Sequence, residues 1–288
     1  TRVIKHQGTY YAMLISQSYG AGLNRREVCY RTKDLNGKWE KNVILESPFG
    51  GFSYLAQGTI VDTEEGDWYG IMFQDRGGVG RVLTLSPVRW IDGWPILGDE
   101  QGRVPDTMPQ GGDEVRSTHL VTSDDFSNDK LSLYWQWNHN PIDEAWSLTE
   151  RPGFLRLKTN KIVSNVYAAR NTISQRMEGP RCSASVTLDL RHMADGDRCG
   201  LAAFNGHSGL LTIVRDGKSY MLVPSNTLVH LTDREQAITG VDEDVVEQVD
   251  LKRCKKIQLR IDGDFTPGKD IATIYYKIGK GEWTPIGE

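Results

Sequence analysis

Apolar and polar positions alternate most regularly between residues 57 and 98. A β-branched run at 59–63 leads into the polar turn Glu64-Glu65-Gly66-Asp67. Over 68–74 the large side chains fall on every second position, the period of a pleated strand. Residues 75–80 carry three glycines, 81–90 is strand-like as far as Pro87, and Asp92-Gly93 makes a last turn before Trp94. The same grammar appears earlier. Residues 3–5 and 9–16 read as a hairpin about His6-Gln7-Gly8, 26–32 as another strand, and 33–37 as a turn into Trp39. Ile44-Leu45 is the last apolar pair before Phe49-Gly50-Gly51-Phe52. Short antiparallel strands at this spacing predict propeller blades or sandwich edges.

Residues 98–113 break the pattern. They are rich in Gly, Pro and acidic side chains, have no periodicity, and read as a linker with a boundary near Gly111-Gly112. This divides the chain into 1–112 and 113–288. In the second part, Asp124-Asp125-Phe126 opens the unit, and strands are predicted at 184–190, 199–204, 210–215, 256–261 and 271–277, with a short one at 245–249. Turns such as Asp195-Gly196-Asp197 and Asp216-Gly217 separate them. Trp135 and Trp137 fall on one face of a strand, and Trp39, Trp68, Trp90 and Trp94 are placed as blade core.

Composition narrows the class. With 30 Gly, 8 Trp and no long run of helix formers, the chain is predicted to be all-β. A net charge of −4 gives no electrostatic case for nucleic acid or an anionic membrane. No apolar run approaches the ~18 residues of a membrane-spanning helix. Neutral polysaccharides suit a surface of aromatic planes and amide groups. Cys29, Cys182, Cys199 and Cys254 lack CxxC spacing, which argues against zinc and favours free thiols over disulfides.

Gln57-Gly58-Thr59, Val61-Asp62-Thr63, Asp67-Trp68-Tyr69, Phe73-Gln74-Asp75-Arg76-Gly77, Gly80-Arg81, Pro87-Val88-Arg89-Trp90 and Asp92-Gly93-Trp94-Pro95 together resemble glycoside hydrolase family 43. The resemblance is to its β-xylosidase and α-L-arabinofuranosidase branch. Leu133-Tyr134-Trp135-Gln136-Trp137 and Arg151-Pro152-Gly153-Phe154 resemble the concanavalin-A-like sandwich of the same enzymes. The resemblance implies the last blades of a five-bladed β-propeller followed by a jelly-roll β-sandwich. It implies removal of xylose or arabinofuranose from hemicellulose with inversion. In the family a glutamate is the acid and an aspartate the base, with a second aspartate tuning the acid. By the same resemblance the glutamate falls just upstream of Thr1 and both aspartates in earlier blades, so no catalytic carboxylate is assigned here. The chain then reads as an internal section whose sandwich lacks its closing strands, and its partners are a xylo- or arabino-oligosaccharide and the N-terminal blades. No cofactor is expected, although some relatives hold calcium near the propeller axis. The expected location is extracellular or periplasmic, with the cytoplasm left open.

Within this chain the sugar-binding residues are expected to be Arg81, Gln57, Gln74, Phe52 and Phe204. The arginine of the Gly-Arg motif contacts the deepest sugar in the family, and a guanidinium fork matches sugar hydroxyls. Gln57 falls where many relatives carry a histidine, and Gln74 faces the same loop. Phe52 stands among glycines as a stacking platform. Phe204, ahead of Asn205-Gly206, is a candidate to reach over the site from the sandwich. Asp62 and Asp92 read as turn residues, and Asp75 as a partner of Arg76 or of a backbone amide. The competing reading is a non-catalytic carbohydrate-binding protein.

Overall fold

A computed structural model describes residues 2–17, 24–109, 119–234 and 237–287. The chain is all-β: strands and three short 3-10 turns make up its regular structure among the described residues. It divides into two compact units, Thr1–Arg116 with Pro267–Lys269, and Ser117–Thr266 with Asp270–Glu288. The boundary expected at Gly111-Gly112 lies outside the described residues.

The first unit is built from two antiparallel four-stranded meanders, the sheet form of propeller blades. β1 (Arg2–His6), β2 (Thr9–Ser16), β3 (Arg26–Thr32) and β4 (Glu40–Leu45) lie side by side in that order. A small hairpin of β5 (Pro48–Phe49) and β6 (Phe52–Tyr54) follows. The second meander runs β7 (Ala56–Asp62), β8 (Trp68–Asp75), β9 (Arg81–Ile91) and β10 (Trp94–Leu97). Gln7 and Gly8 both have positive φ, which makes the β1–β2 connection a two-residue turn that matches the strand twist.

Alternation puts Tyr11 and Met13 of β2, Ile60 of β7 and Met72 of β8 into one core, with Leu97. Burying each such side chain contributes about 1.5–3 kcal/mol. The Tyr11 hydroxyl donates to the Gly93 carbonyl at 3.0 Å and ties the first meander to the second. Trp68, Trp90 and Trp94 pack on this core as expected. Trp39 does not join it; it is half-buried outside any strand.

Two further expectations for this unit fail. The strand at 81–90 does not weaken at Pro87. Here β9 changes partners, from β8 (Tyr69 opposite Pro87) to β10 (Val88 opposite Leu97), so the missing N–H falls at the changeover. The Pro87 carbonyl and the Ser86 hydroxyl both accept from Gly98 N–H. Nor is 98–104 a free linker. Asp99 and Arg103 close a turn, Val104 is 6% exposed in the blade core, and its N–H reaches the Ser47 hydroxyl.

The second unit begins with two short ladders, β11 (Gln136–Trp137) with β14 (Ile173–Ser174) and β12 (Trp146–Ser147) with β13 (Arg156–Leu157). Trp135 stands ahead of β11 rather than on it, its indole N–H donating to Asp124. Two larger sheets follow. One orders β15 (Arg181–Asp189), β21 (Lys256–Asp264), β22 (Ile271–Lys277) and β23 (Thr284–Gly287). The other orders β16 (Arg198–Ala203), β17 (His207–Asp216), β18 (Ser219–Leu231) and β19 (Ile238–Val245), with β20 (Val249–Asp250) also on β18. Inward positions of both sheets, such as Leu211, Ile213 and Leu222 against Ile257, Leu259 and Ile274, form one buried layer, which is a β-sandwich. The short strand expected at 245–249 is instead the junction of β19 and β20. All four cysteines are free thiols.

Candidate functional site

The residues expected to bind sugar in the first unit converge at one end of the two meanders. β8 ends at Asp75 and β9 starts at Arg81, joined through the 3-10 turn Gly77–Val79. Antiparallel pairing sets Asp75 opposite Arg81 and Phe73 opposite Ala56, so the start of β7 lies beside the end of β8. β3 begins next to them, and the β5–β6 hairpin completes the group.

Arg81 keeps its side chain 68% exposed while two groups hold it. Its Nε donates to Asp75 Oδ1 at 3.2 Å, and its guanidinium lies 4.5 Å over the Phe73 ring. The same Asp75 meets Arg25, whose Nη1 stands 2.7 Å from Oδ2 as an ion pair off the hydrogen-bond axis. Arg25 also lies 5.6 Å over Phe73. Asp75 is therefore paired with Arg25 and Arg81, not with Arg76. Partial burial works against its charge, but the two guanidiniums outweigh burial and hold its carboxyl below the usual carboxylate range. It is an anchor for cations.

Gln74 has no polar atom to offer a sugar. The side chain is fully buried; its Nε2 donates to the carbonyls of Phe49 (2.9 Å) and Ser53 (2.5 Å), and its Oε1 accepts from Arg76 Nε at 3.0 Å. Every amide proton is used on the backbone, so Gln74 pins the β5–β6 hairpin instead of contacting ligand. Phe52 sits on that hairpin rather than in a loop, opposite Phe49 across the Gly50-Gly51 turn. It is half-buried, with the Arg76 guanidinium 4.9 Å over its ring. Asp62 is exposed at the end of β7, and Asp92 occupies the β9–β10 turn with φ 50°.

Gln57 is exposed and occupies a β-bulge. Ala56 pairs with Phe73 and Gly58 with Met72, leaving Gln57 as the extra residue, with φ 59°. Its N–H donates at 2.5 Å to Glu27 Oε2. Glu27, on β3, is fully buried, and its other oxygen has no hydrogen-bond partner among the described residues. Burial pushes this carboxyl up to about 7 against the opposing effect of the Gln57 and Gly58 N–H groups. Neither Glu27 nor Arg25 was found by sequence reasoning. The available signal was the period of β3, which puts Glu27 in phase with Cys29 and so a carboxyl on a core face.

Phe204 follows β16 in the second unit, half-buried, with the Tyr167 ring 6.3 Å away. Among the described residues no three His, Cys, Asp or Glu side chains converge as a metal ion would require.

Residues 123–288, more than half of the chain, match the family described as "Beta xylosidase C-terminal Concanavalin A-like domain". The chain belongs to glycoside hydrolase family 43. A putative beta-xylosidase of Xylanibacter ruminicola is 32% identical over 196 residues, covering 66% of this chain and 37% of that protein. A non-reducing end alpha-L-arabinofuranosidase of Bacteroides ovatus is 28% identical over 254 residues, covering 81% and 47%. Among solved structures, a bifunctional GH43-CE of Bacteroides eggerthii superposes with a TM-score of 0.83 at 32% identity, over 99% of this chain and 35% of that one. The chain thus spans less than half the length of these family 43 relatives. The resemblance carried by 57–95 and by the sandwich motifs pointed to the same family.

Proposed function

We propose that this chain supplies the sugar-contacting end of a family 43 glycosidase that releases xylose or arabinofuranose from hemicellulose by inversion. The acid and base carboxylates would come from sequence outside it. The observation that carries the reading is Arg81, fixed by Asp75 and Phe73 yet 68% exposed. An arginine held on two sides and open on the third is prepared for neutral hydroxyls at low entropic cost. The carboxyls nearby are otherwise engaged: Asp75 with two arginines and Glu27 with the Gln57 backbone. That supports placing the acid and base elsewhere. The names of the relatives, beta-xylosidase and alpha-L-arabinofuranosidase, support the substrate class.

The test is Arg81→Ala in the full-length polypeptide, assayed on aryl xyloside and aryl arabinofuranoside. Loss of a charged hydrogen bond to substrate is worth about 1.5–3 kcal/mol, so kcat/KM should fall about 10- to 100-fold on the preferred glycoside. Near-normal turnover on both substrates would overturn the reading. Comparing the two substrates also decides which sugar is preferred.

A further inference from the structure

Glu27 is the least expected side chain in the first unit. A carboxyl buried without compensation costs several kcal/mol, and an apolar residue would serve β3 equally well. The two meanders meet where Glu27 sits. Its Oε2 takes the Gln57 N–H at 2.5 Å, and the Gly58 N–H also favours the carboxylate. No apolar side chain can accept from two successive amides.

Those amides belong to a segment that needs holding. Gln57 adopts a left-handed conformation that costs a non-glycine residue about 1–2 kcal/mol. The following residue must be glycine, since a Cβ on Gly58 would lie 1.9 Å from the Ile71 carbonyl oxygen. The bulge turns the Gln57 backbone toward Glu27 while its side chain is exposed, on the same end of the sheets as Arg81. Bulges re-aim side chains in this way beside active sites.

We propose that Glu27 is a positioning residue, clamping the backbone of the Gln57 bulge so that the Gln57 amide is aimed at the sugar. This rests on the proposed glycosidase function and on the sequence-based expectation that Gln57 contacts sugar, and it adds a role for a side chain that touches no substrate itself.

A double-mutant cycle in the full-length polypeptide tests it, with aryl glycosides as substrate. Gln57→Ala should raise KM about tenfold. Glu27→Leu, which removes both acceptors, should raise KM by a similar factor with a smaller effect on kcat, and the double variant should be no worse than either single one. Glu27→Gln keeps one acceptor oxygen and should recover most of the loss. Additive losses in the cycle would overturn the positioning role while leaving Gln57 as a sugar contact. A normal KM for Gln57→Ala would instead overturn the substrate role of Gln57, and the proposal with it. Should Glu27→Leu not fold, hydrogen exchange in the wild-type protein decides. The amides of Gln57 and Gly58 should exchange slowly although the Gln57 side chain is exposed, and fast exchange at both would refute the clamp.

Discussion

A carboxyl removed from water holds its proton more tightly, and Glu27 shows the consequence. Its folded-state pKa is about 7, against an ordinary value of 4.5, with burial as the main cause. The folded protein therefore binds a proton that the unfolded chain has already released. Glu27's contribution to stability is full below about pH 4.5 and falls as pH rises to about 7. Inside that window each pH unit costs at most about 1.4 kcal/mol. Glu27→Gln has no such proton, so the difference in unfolding free energy between wild type and variant should shift toward the variant from pH 5 to pH 8. Denaturant titrations at the two pH values measure it, and a pH-independent difference would contradict the assignment. Cys29 is consistent with this environment: its thiol is pushed up to about 12 by burial first and by the Glu27 charge second. At the same scale, Gln74 shows how a side chain of the right type for sugar binding can be entirely used within the fold, by two backbone carbonyls and the Arg76 guanidinium.

Among the elements, β7, β8 and β9 show where the period of two suffices and where it does not. The alternation over 68–74 gives β8 almost to the residue, because its side chains face a core on one side. The bulge at Gln57 is an offset in pairing, and a pattern of side chains carries no register. Gly58 is the residue on which that offset depends. Gly58→Ala would drive a methyl into the Ile71 carbonyl, a backbone atom that no rotamer change can move. The variant should lose about 3 kcal/mol, read as a lower denaturant midpoint; a loss under about 1 kcal/mol would show that the bulge can shift. In the second unit β18 runs thirteen residues through Pro224, which has no N–H to give a ladder. Its neighbours keep it in the sheet: Pro224 pairs with Leu211, and its carbonyl accepts from Val246 N–H. β19, with Asp242, Glu243 and Asp244, has no apolar face to announce it and forms because β18 offers an edge.

For the whole molecule, the family 43 sandwich and the two meanders give a fold whose relatives are about twice as long or longer. A complete inverting enzyme would hold its acid and base about 6.5–9.5 Å apart, leaving room for water between base and sugar. Proton NMR of a fresh hydrolysate from the full-length polypeptide should therefore show the product first as the anomer opposite to the substrate linkage. A retained anomer would exclude inversion and point to carboxyls about 5–5.5 Å apart.

The sequence by itself determined the all-β class, the strand-rich segments and the family, because period-two alternation and turn residues are local, and the motifs that carry the resemblance stand in order along the chain. It also put Arg81 directly after the glycine turn, at the start of a strand. Only the tertiary structure decided that Asp75 serves Arg25 and Arg81, that Gln74 is sealed under a hairpin, and that Val104 belongs to the blade core. It alone brought Glu27 to the Gln57 bulge, thirty residues away. Each of these depends on which strands lie side by side, and strand order is a property of the assembled sheet rather than of any segment within it.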